Sequence, residues 1–492
     1  FCRRRAEKMP ACPIGDKLSM CCKNCFMGPC RLCGNNNKGV CGASKELVLA
    51  RNLMRQAAAG SAAHVGHAQH ILNYRKQNMP KDYIDKHAPD YLKKVWKKLG
   101  IYPENPYLEI SEALHETLFG VDSDWKHVLL NCLKLGIVDG YYGLYLSTEL
   151  EDKELHKPTP NQGWIDLGTI SKDKTNIAVH GHDPILPAKI VEHKGDANVI
   201  GVCCTGAELL ARYGIPMAAN MPFSEQVIAT GAIEAMIVDI QCVMPSLADL
   251  ANCYHTKLIT THDIARMPGA THMSFTKDDA DEQAKAMVNL ANKNFKQRQG
   301  VSIPDTKVAM WAGWSPETMP IKELKEKLKE GTLKGVVAFV GCTNPRVDKD
   351  KWAKFVQKLV KEGFLVLVSG CIGYEMGRQG LLKEKGEIYH MGSCVNNARI
   401  AEVFRLLADK KISDENFLVS APAPVSEKAI SIGLFFAALG TSLHVGMNFF
   451  DNPEAGKFLN DALGGEFGSR VFVTDDPDKL WKETKGKWKL KK

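Results

Sequence analysis

From Ser44 onward the apolar positions recur at helical spacing: Leu47, Val48, Ala50, Leu53 and Met54 line one side of an amphipathic helix. The pattern continues through "RQAAAGSAAHVGHAQHILNY", and further helical patterns cover about 81–98 and 109–135, so the first third is predicted to be mainly α. After about residue 160 the pattern changes to short apolar, β-branched runs. These are "NIAV", "NVIGV", "AMIVDI" and "KLITT", then "VVAFV", "FLVLV", "EIYHM", "FLVSA", "SLHVG" and "RVFVT", separated by helical stretches. Alternation of this kind predicts parallel sheets in α/β units. The lysine-rich stretch 321–334 is a candidate boundary. The expected fold class is therefore α plus α/β and multidomain: a helical unit over 1–160, then two Rossmann-like parallel α/β units over 161–320 and 321–492. No internal repeat or low-complexity tract is visible.

A length of 492 residues fits two to four domains. Apolar content of 45% and charged content of 24% are those of a soluble globular chain, and no apolar run reaches the eighteen or so residues of a membrane span. The chain opens on Phe1 and shows no charged-then-apolar leader, which predicts a cytoplasmic protein and leaves a start further upstream open. The net charge of +8, with an excess from Lys479 to Lys492, suits an acidic partner and is no nucleic-acid signature.

The cysteines change the picture. Of sixteen, eight (2, 12, 21, 22, 25, 30, 33 and 41) fall in the first 41 residues. Disulfide scaffolds of that density are usually short secreted chains, so metal is the better reading, and the number of thiols favours iron–sulfur clusters over zinc. Each later β-run also ends in a ligand-type residue. "NIAV" leads to His180 and His182, "NVIGV" to Cys203–Cys204, "AMIVDIQ" to Cys242, "VVAFVG" to Cys342, "FLVLVSG" to Cys371 and "EIYHMGS" to Cys394. Parallel sheets place their sites beyond the carboxyl ends of the strands. Gly181, Gly206, Gly341, Gly370 and Gly392 are expected to make the turns there tight. Any single cysteine could be a buried small hydrophobe; five at five strand ends point to one metal centre.

These segments carry a resemblance. "CCKNCFMGPCR", "KGVCGA", "ARNLMRQAAAGSAAH", "VHGHDP", "CCTGAELLARYGIP", "GAIEAMIVDIQC", "GCTNPR", "SGC", "HMGSCV" and "SEKAISIG" resemble, in order and over nearly the whole chain, the nickel–iron carbon monoxide dehydrogenase catalytic subunits of anaerobes. The resemblance implies that Cys22, Cys25, Cys30 and Cys41 hold one [4Fe–4S] cluster. It implies that Cys12 and Cys21 share a second cluster, [4Fe–4S] or [2Fe–2S], with a partner subunit. For the strand-end set it implies a [Ni–4Fe–4S] centre, with Cys394 on nickel, His182 and Cys204 on an iron outside the cubane, and Cys242, Cys342 and Cys371 on the remaining irons. Soft thiolates around nickel suit CO, and an imidazole-ligated iron suits an oxygen ligand. The implied reaction is CO + H2O ⇌ CO2 + 2H⁺ + 2e⁻, with electrons leaving through the other clusters. Cys33 receives no role.

By the same resemblance Lys428 is a donor to the substrate, His64 a second donor, Ile432 an apolar wall of the gas pocket and Asp139 a supporting carboxylate. Taken alone, Lys428 would be read as a solvated helix residue. His64, His67 and His70 lie at i, i+3 and i+6 of the predicted helix and could relay protons, the bland alternative being surface histidines. The family often continues the row with another histidine, where this chain has Asn73 and Tyr74. The connections "HKGDA", that between Cys371 and Cys394, and that before "LKGVV" are shorter than the family usual, which means either a compact variant or missing segments. The implied partners are a second copy in a homodimer, the gases CO and CO2, and ferredoxin or a similar low-potential carrier. No acetyl-CoA synthase-type cysteine group is present, although a complex with a synthase subunit stays open. The rival enzyme is a hybrid-cluster hydroxylamine reductase, whose site should include a carboxylate ligand. A rival of another class is a nickel-free electron-transfer subunit.

Overall fold

The computed structural model describes residues 1–10, 12, 17–408, 416–446 and 452–485, so the end of the basic tail, 486–492, lies outside the described residues. The first predicted helix is Lys45–Tyr74, thirty residues long, and the Ser44 side chain caps it by accepting from the Leu47 N–H at 3.3 Å. Each of the next two helical patterns proves to be a pair. Tyr83–His87 and Asp90–Lys98 are parted at Pro89, whose ring disfavours a helical residue before it. Pro106–Glu116 and Trp125–Val138 are parted by a loop in which Gly120 takes a φ of 78°. Trp125–Val138 runs on through a π-helical stretch, Asp139–Tyr145, into Leu146–Leu155.

Two short strands, β1 (Cys21–Cys22) and β2 (Cys30–Arg31), pair antiparallel within the cysteine-rich segment. The next eight are β3 (Asn161–Ile165), β4 (Asn176–Gly181), β5 (Asn198–Val202), β6 (Met217–Ala219), β7 (Ala235–Val238), β8 (Lys257–Thr260), β9 (Thr271–His272) and β10 (Val308–Ala312). They form one sheet in the order β10-β3-β6-β5-β4-β7-β8-β9, parallel except where β10 pairs β3. A second sheet holds β11 (Gly335–Phe339), β12 (Phe364–Val368), β13 (Ile388–His390), β14 (Phe417–Ala421), β15 (Ser442–Val445) and β16 (Val471–Val473). Its order is β13-β12-β11-β14-β15-β16, all parallel. Strands β4, β11, β12 and β14 are buried along their whole length, as sheets covered on both faces require.

Strand order reverses between β4 and β7 in the first sheet and between β11 and β14 in the second. Such switch points open a crevice at the carboxyl ends. The two sheets are tied together near these ends. The Tyr374 hydroxyl donates to the Ala218 carbonyl at 3.0 Å, and Asn220 Nδ2 donates to Thr343 Oγ1 at 3.1 Å. After β14 the helix Lys428–Ala438 packs on the helical layer. A Cβ at Gly60 would lie 2.5 Å from the Glu427 carbonyl oxygen, and one at Gly136 2.5 Å from the Leu434 backbone. Only glycine allows the helices to approach so closely. The "HKGDA" connection closes in a turn, with the Ala197 N–H donating to the Lys194 carbonyl at 3.0 Å.

Candidate metal centre

The crevice between the two switch points holds a small cavity of about 10 Å³. His182, Cys203, Cys204, Cys242, Cys342, Cys371 and Cys394 line it, together with Met221, Lys428 and Ile432. The structure thus brings together every strand-end residue that the sequence proposed as a ligand. It adds one that received no role: Cys203, whose Sγ lies 3.9 Å from that of Cys371. Ligand atoms of His182, Cys203 and Cys204 fall within 4.8 Å of one another, and the Cys394 N–H points at Cys204 Sγ from 3.5 Å. The adjacent cysteine pair at a strand end was the signal that could have found Cys203.

The backbone is strained where the sulfurs meet. Cys203, Gln241 and Cys242 take φ values of 60°, 67° and 56°, which cost L-residues about 1–3 kcal/mol each. Before Cys371, glycine takes this conformation instead: Gly370 has φ 69°, and a Cβ there would lie 2.8 Å from Cys394 Sγ. Gly206 departs from expectation. It is inside the helix Cys203–Tyr213, not in a turn, and its missing side chain lets that helix sit on Gly201 of β5, where a Cβ would come within 2.2 Å of Gly206 Cα.

Lys428 is buried, with Nζ donating to His182 Nε2 at 2.5 Å and to Gln241 Oε1 at 2.8 Å. Burial opposes its charge, but the sulfurs of Cys242, Cys394, Cys204 and Cys203 outweigh burial and hold the ammonium above the ordinary lysine value. Gln241 in turn donates to the Ala63 carbonyl at 2.7 Å, tying the cation to the long helix. Asp239, which the sequence reading passed over, organises the "HGHD" turn. Its Oδ1 accepts from the backbone N–H groups of His182 (2.5 Å), Ile240 (2.5 Å) and Asp183 (3.2 Å), and its Oδ2 accepts from Thr205 Oγ1 at 2.8 Å. Burial and the neighbouring Asp183 raise this carboxyl to about 6. Burial pushes the Cys342 thiol up to about 12, so metal coordination is what would make that sulfur a thiolate at neutral pH.

The donor set fits a nickel–iron–sulfur group. Six sulfurs and one imidazole meet in a closed cavity beside a buried cation, and His182 Nδ1 is buried without a partner. Soft donors of this kind select iron–sulfur and nickel over hard cations. No carboxylate lines the cavity among the described residues, which goes against the hybrid-cluster alternative.

Behind Lys428 stand the histidines. His64 and His67 are fully buried, which overturns the surface reading for both. His64 Nδ1 lies 2.7 Å from Asp139 Oδ1, at the head of the π-helical stretch, and a Cβ on Gly143 would lie 2.6 Å from His64 Cβ. Burial lowers His64 and raises Asp139, each opposed by the other. His67 Nε2 is 2.9 Å from Glu151 Oε1. Burial takes His67 and His70 down to about 4. Ile432, fully buried, forms part of the cavity wall.

In the N-terminal segment, Cys22 and Cys30 are directly paired across β1 and β2, and the Val40 N–H points at Cys30 Sγ from 3.5 Å. The Cys22 thiol is raised, chiefly by burial, with Cys30 and Cys41 adding to the effect. Cys25 closes the intervening loop, its carbonyl accepting from the Gly28 N–H at 3.2 Å. Cys12 is exposed and Cys21 half-buried. Nearby, Phe26, Met27 and Val40 are exposed; the Phe26 loop is joined through Asn24 to Thr117, beside exposed Leu118 and Phe119.

Comparison with known proteins agrees with this arrangement. The Prismane/CO dehydrogenase family model matches residues 20–79 and 72–478. Carbon monoxide dehydrogenase 1 of Methanosarcina acetivorans is 33% identical, over 97% of this chain and 91% of the relative. The carbon monoxide dehydrogenase/acetyl-CoA synthase subunit beta of Moorella thermoacetica is 30% identical, over 90% of this chain and 82% of that one. The solved structure of carbon monoxide dehydrogenase IV from Carboxydothermus hydrogenoformans superposes with a TM-score of 0.92 at 32% identity, covering 99% of this chain and 95% of the other.

Proposed function

Since the chain belongs to the Prismane/CO dehydrogenase family and is thereby an oxidoreductase of the carbon monoxide dehydrogenase kind, we propose that it interconverts CO and water with CO2, two protons and two electrons at the strand-end centre. The observation that carries this reading is the convergence of six cysteines, His182 and the buried Lys428 on one closed cavity. Cys394 would hold nickel, His182 and Cys204 the outer iron, and Cys242, Cys342 and Cys371 the other irons. When bound, this group supplies a site for CO, a Lewis acid for water and a sink for two electrons.

The protein's own residues do the rest. Lys428, charged and fixed by Gln241, donates hydrogen bonds to the substrate oxygens as they gain negative charge. Ile432 and Met221 form the apolar wall that keeps bulk water away. His64, oriented by Asp139, exchanges protons with the substrate, and His67 and His70 carry them along the helix. Electrons would leave through a [4Fe–4S] cluster on Cys22, Cys25, Cys30 and Cys41. A second cluster, [4Fe–4S] or [2Fe–2S], would bridge Cys12 and Cys21 to the same residues of a second copy. Exposed Phe26, Met27 and Val40 beside these cysteines support a homodimer there. The reading further takes the chain as three units divided near 160 and 320, as cytoplasmic, and as served by ferredoxin or a similar low-potential carrier; the Moorella relative makes a synthase subunit a candidate partner. Among the described residues no helix is long and apolar enough to cross a membrane.

Nickel and iron per chain in anaerobically purified protein test the proposal. Three clusters, one shared, require about ten irons and about one nickel, accompanied by CO-dependent dye reduction. Full iron without nickel, in protein made with nickel available, would favour the electron-transfer reading.

A further inference from the structure

The histidine row on the long helix stops short of solvent. At three-residue steps, each about 4.5 Å along the axis, the position after His70 is Asn73, followed by Tyr74. Neither side chain exchanges protons near neutral pH. The fold brings another imidazole to that point from a distant segment. His262, just beyond β8, has its ring centroid 4.9 Å from that of His70, with the planes inclined by 34°. Its Nε2 lies 2.9 Å from Asp183 Oδ2, in the "HGHD" turn beside the metal cavity. Both rings line an open cleft with Tyr74, Lys76, Asp183 and Phe275. The inward path has unmet polar atoms: His64 Nε2, His67 Nδ1 and His70 Nδ1 are buried without a hydrogen-bond partner. Buried imidazole nitrogens of this kind need partners, and along a row of histidines the partner can be the transferred proton's next carrier.

We propose that His262 is the outermost proton carrier of this enzyme, taking protons from His70 and passing them to solvent through the cleft, in place of a fourth histidine on the helix. The inference rests on the proposed CO-oxidising function, which must export two protons per turnover. In each transfer protonated His70 gives its proton to neutral His262, and His262 gives it to water or a buffer base, so both rings return to their starting state. The electrostatics run the right way. His70 is held at about 4 by burial, whereas His262, although burial opposes its charge, is raised above its ordinary value by Asp183, with Asp239 and Asp263 adding to the effect. Of the other charged groups lining the cleft, Lys76 and Asp278 pair with each other at 2.9 Å, and Lys277 lies 3.7 Å from Glu154. Asp183 thus makes His262 a better proton acceptor than His70.

The test uses the metal-loaded, full-length protein. His262→Gln should retain nickel, iron and cluster spectra, and should lower kcat at low buffer concentration by about a hundredfold, the low end for a positioned proton donor. Added imidazole, or a second change Asn73→His, should restore it. Independently of turnover, the rate of His262 acylation by diethyl pyrocarbonate, mapped by peptide mass, should rise with pH through a midpoint above the ~6.5 of a free histidine side chain. An unchanged kcat, a loss that neither imidazole nor Asn73→His rescues, or a midpoint at or below about 6.5 would overturn the proposal. Absence of CO oxidation in the wild type would instead remove the function on which it rests.

Discussion

Replacing Lys428 separates chemistry from assembly at this site. Its ammonium is the buried cation of the cavity, in contact with His182 Nε2 at 2.5 Å and Gln241 Oε1 at 2.8 Å and surrounded by sulfurs. Two effects compete when it is lost. The first falls on the reaction. A unit charge about 4 Å from developing negative charge is worth about 4 kcal/mol at an effective dielectric of about 20, and removal of a preorganised donor of this kind costs about 10²–10³ in kcat. The second falls on the metal group, because thiolates without their cation are harder to keep ionised. Lys428→Met keeps the volume and removes the charge. Lys428→Arg keeps the charge and misplaces the donor. If the charge serves mainly the reaction, Lys428→Met keeps full nickel and iron yet loses at least about a hundredfold in CO-dependent dye reduction, with Lys428→Arg in between. Metal analysis, the cluster spectrum and kcat measured on the same preparation decide the matter. Full metal with kcat within about threefold of wild type would refute the role, since that corresponds to less than about 1 kcal/mol.

Two further outcomes follow from the geometry. Cys394→Ala should lose nickel and CO oxidation while the cluster signal of the N-terminal cysteines survives; full nickel in that variant would break the ligand assignment. His444 links acid stability to the second sheet. It is fully buried and held at about 4 by burial, with its Nε2–H donating to the Thr474 carbonyl and its Nδ1 2.8 Å from Ser420 Oγ. The unfolded chain takes up that proton near 6.5, so the stability tied to this ring is full above pH 6.5 and is lost as pH falls toward 4, about 3 kcal/mol in all. His444→Gln should flatten the fall of the denaturation midpoint across that window by about one proton, and an unchanged slope would contradict the assignment.

The sheets were legible because strands covered on both faces must be apolar throughout: β4, β5, β7, β8 and all six strands of the second sheet coincide with apolar runs. Strands β3, β6, β9 and β10 were not. β6 and β9 are only three and two residues long, and β3 alternates exposed and buried positions at the sheet margin. The ligand-type residues were legible for a topological reason, since each follows a strand and strand ends converge. Asp239 and His262 were hidden, and Cys203 was seen but left without a role, for different reasons. Asp239 acts on backbone N–H groups 56 and 57 residues away, a relation no local pattern encodes. Cys203 was masked by its neighbour Cys204. His262 meets His70 only where the segment after β8 reaches the far part of the long helix, and sequence distance conceals such a meeting. Proline explains the misplaced helix boundary at 89; the resemblance spoke only to motifs.

Cys203 offers a sharper test of why this site is strained. At φ 60° a side chain costs about 1–2 kcal/mol relative to glycine. At the neighbouring strand ends this chain places glycine in that conformation and the cysteine after it, as in Gly341–Cys342 and Gly370–Cys371, with φ values of 86° and 69° at the glycines. At 203 the cysteine itself takes the strained conformation, so its sulfur must repay the cost locally. That sulfur is almost fully buried, with Cys371 Sγ 3.9 Å away, and its removal loses burial worth about 1–2 kcal/mol. Cys203→Ala keeps the backbone strain and loses the sulfur; Cys203→Gly loses both. The glycine variant should therefore be more stable than the alanine variant by about 1 kcal/mol, the reverse of the order expected for a position within a helix. Denaturation midpoints of the two metal-loaded variants measure the difference. If alanine is the more stable, the positive φ at 203 is not a strain that the native packing must offset, and the thiol's place in the cavity needs another cause.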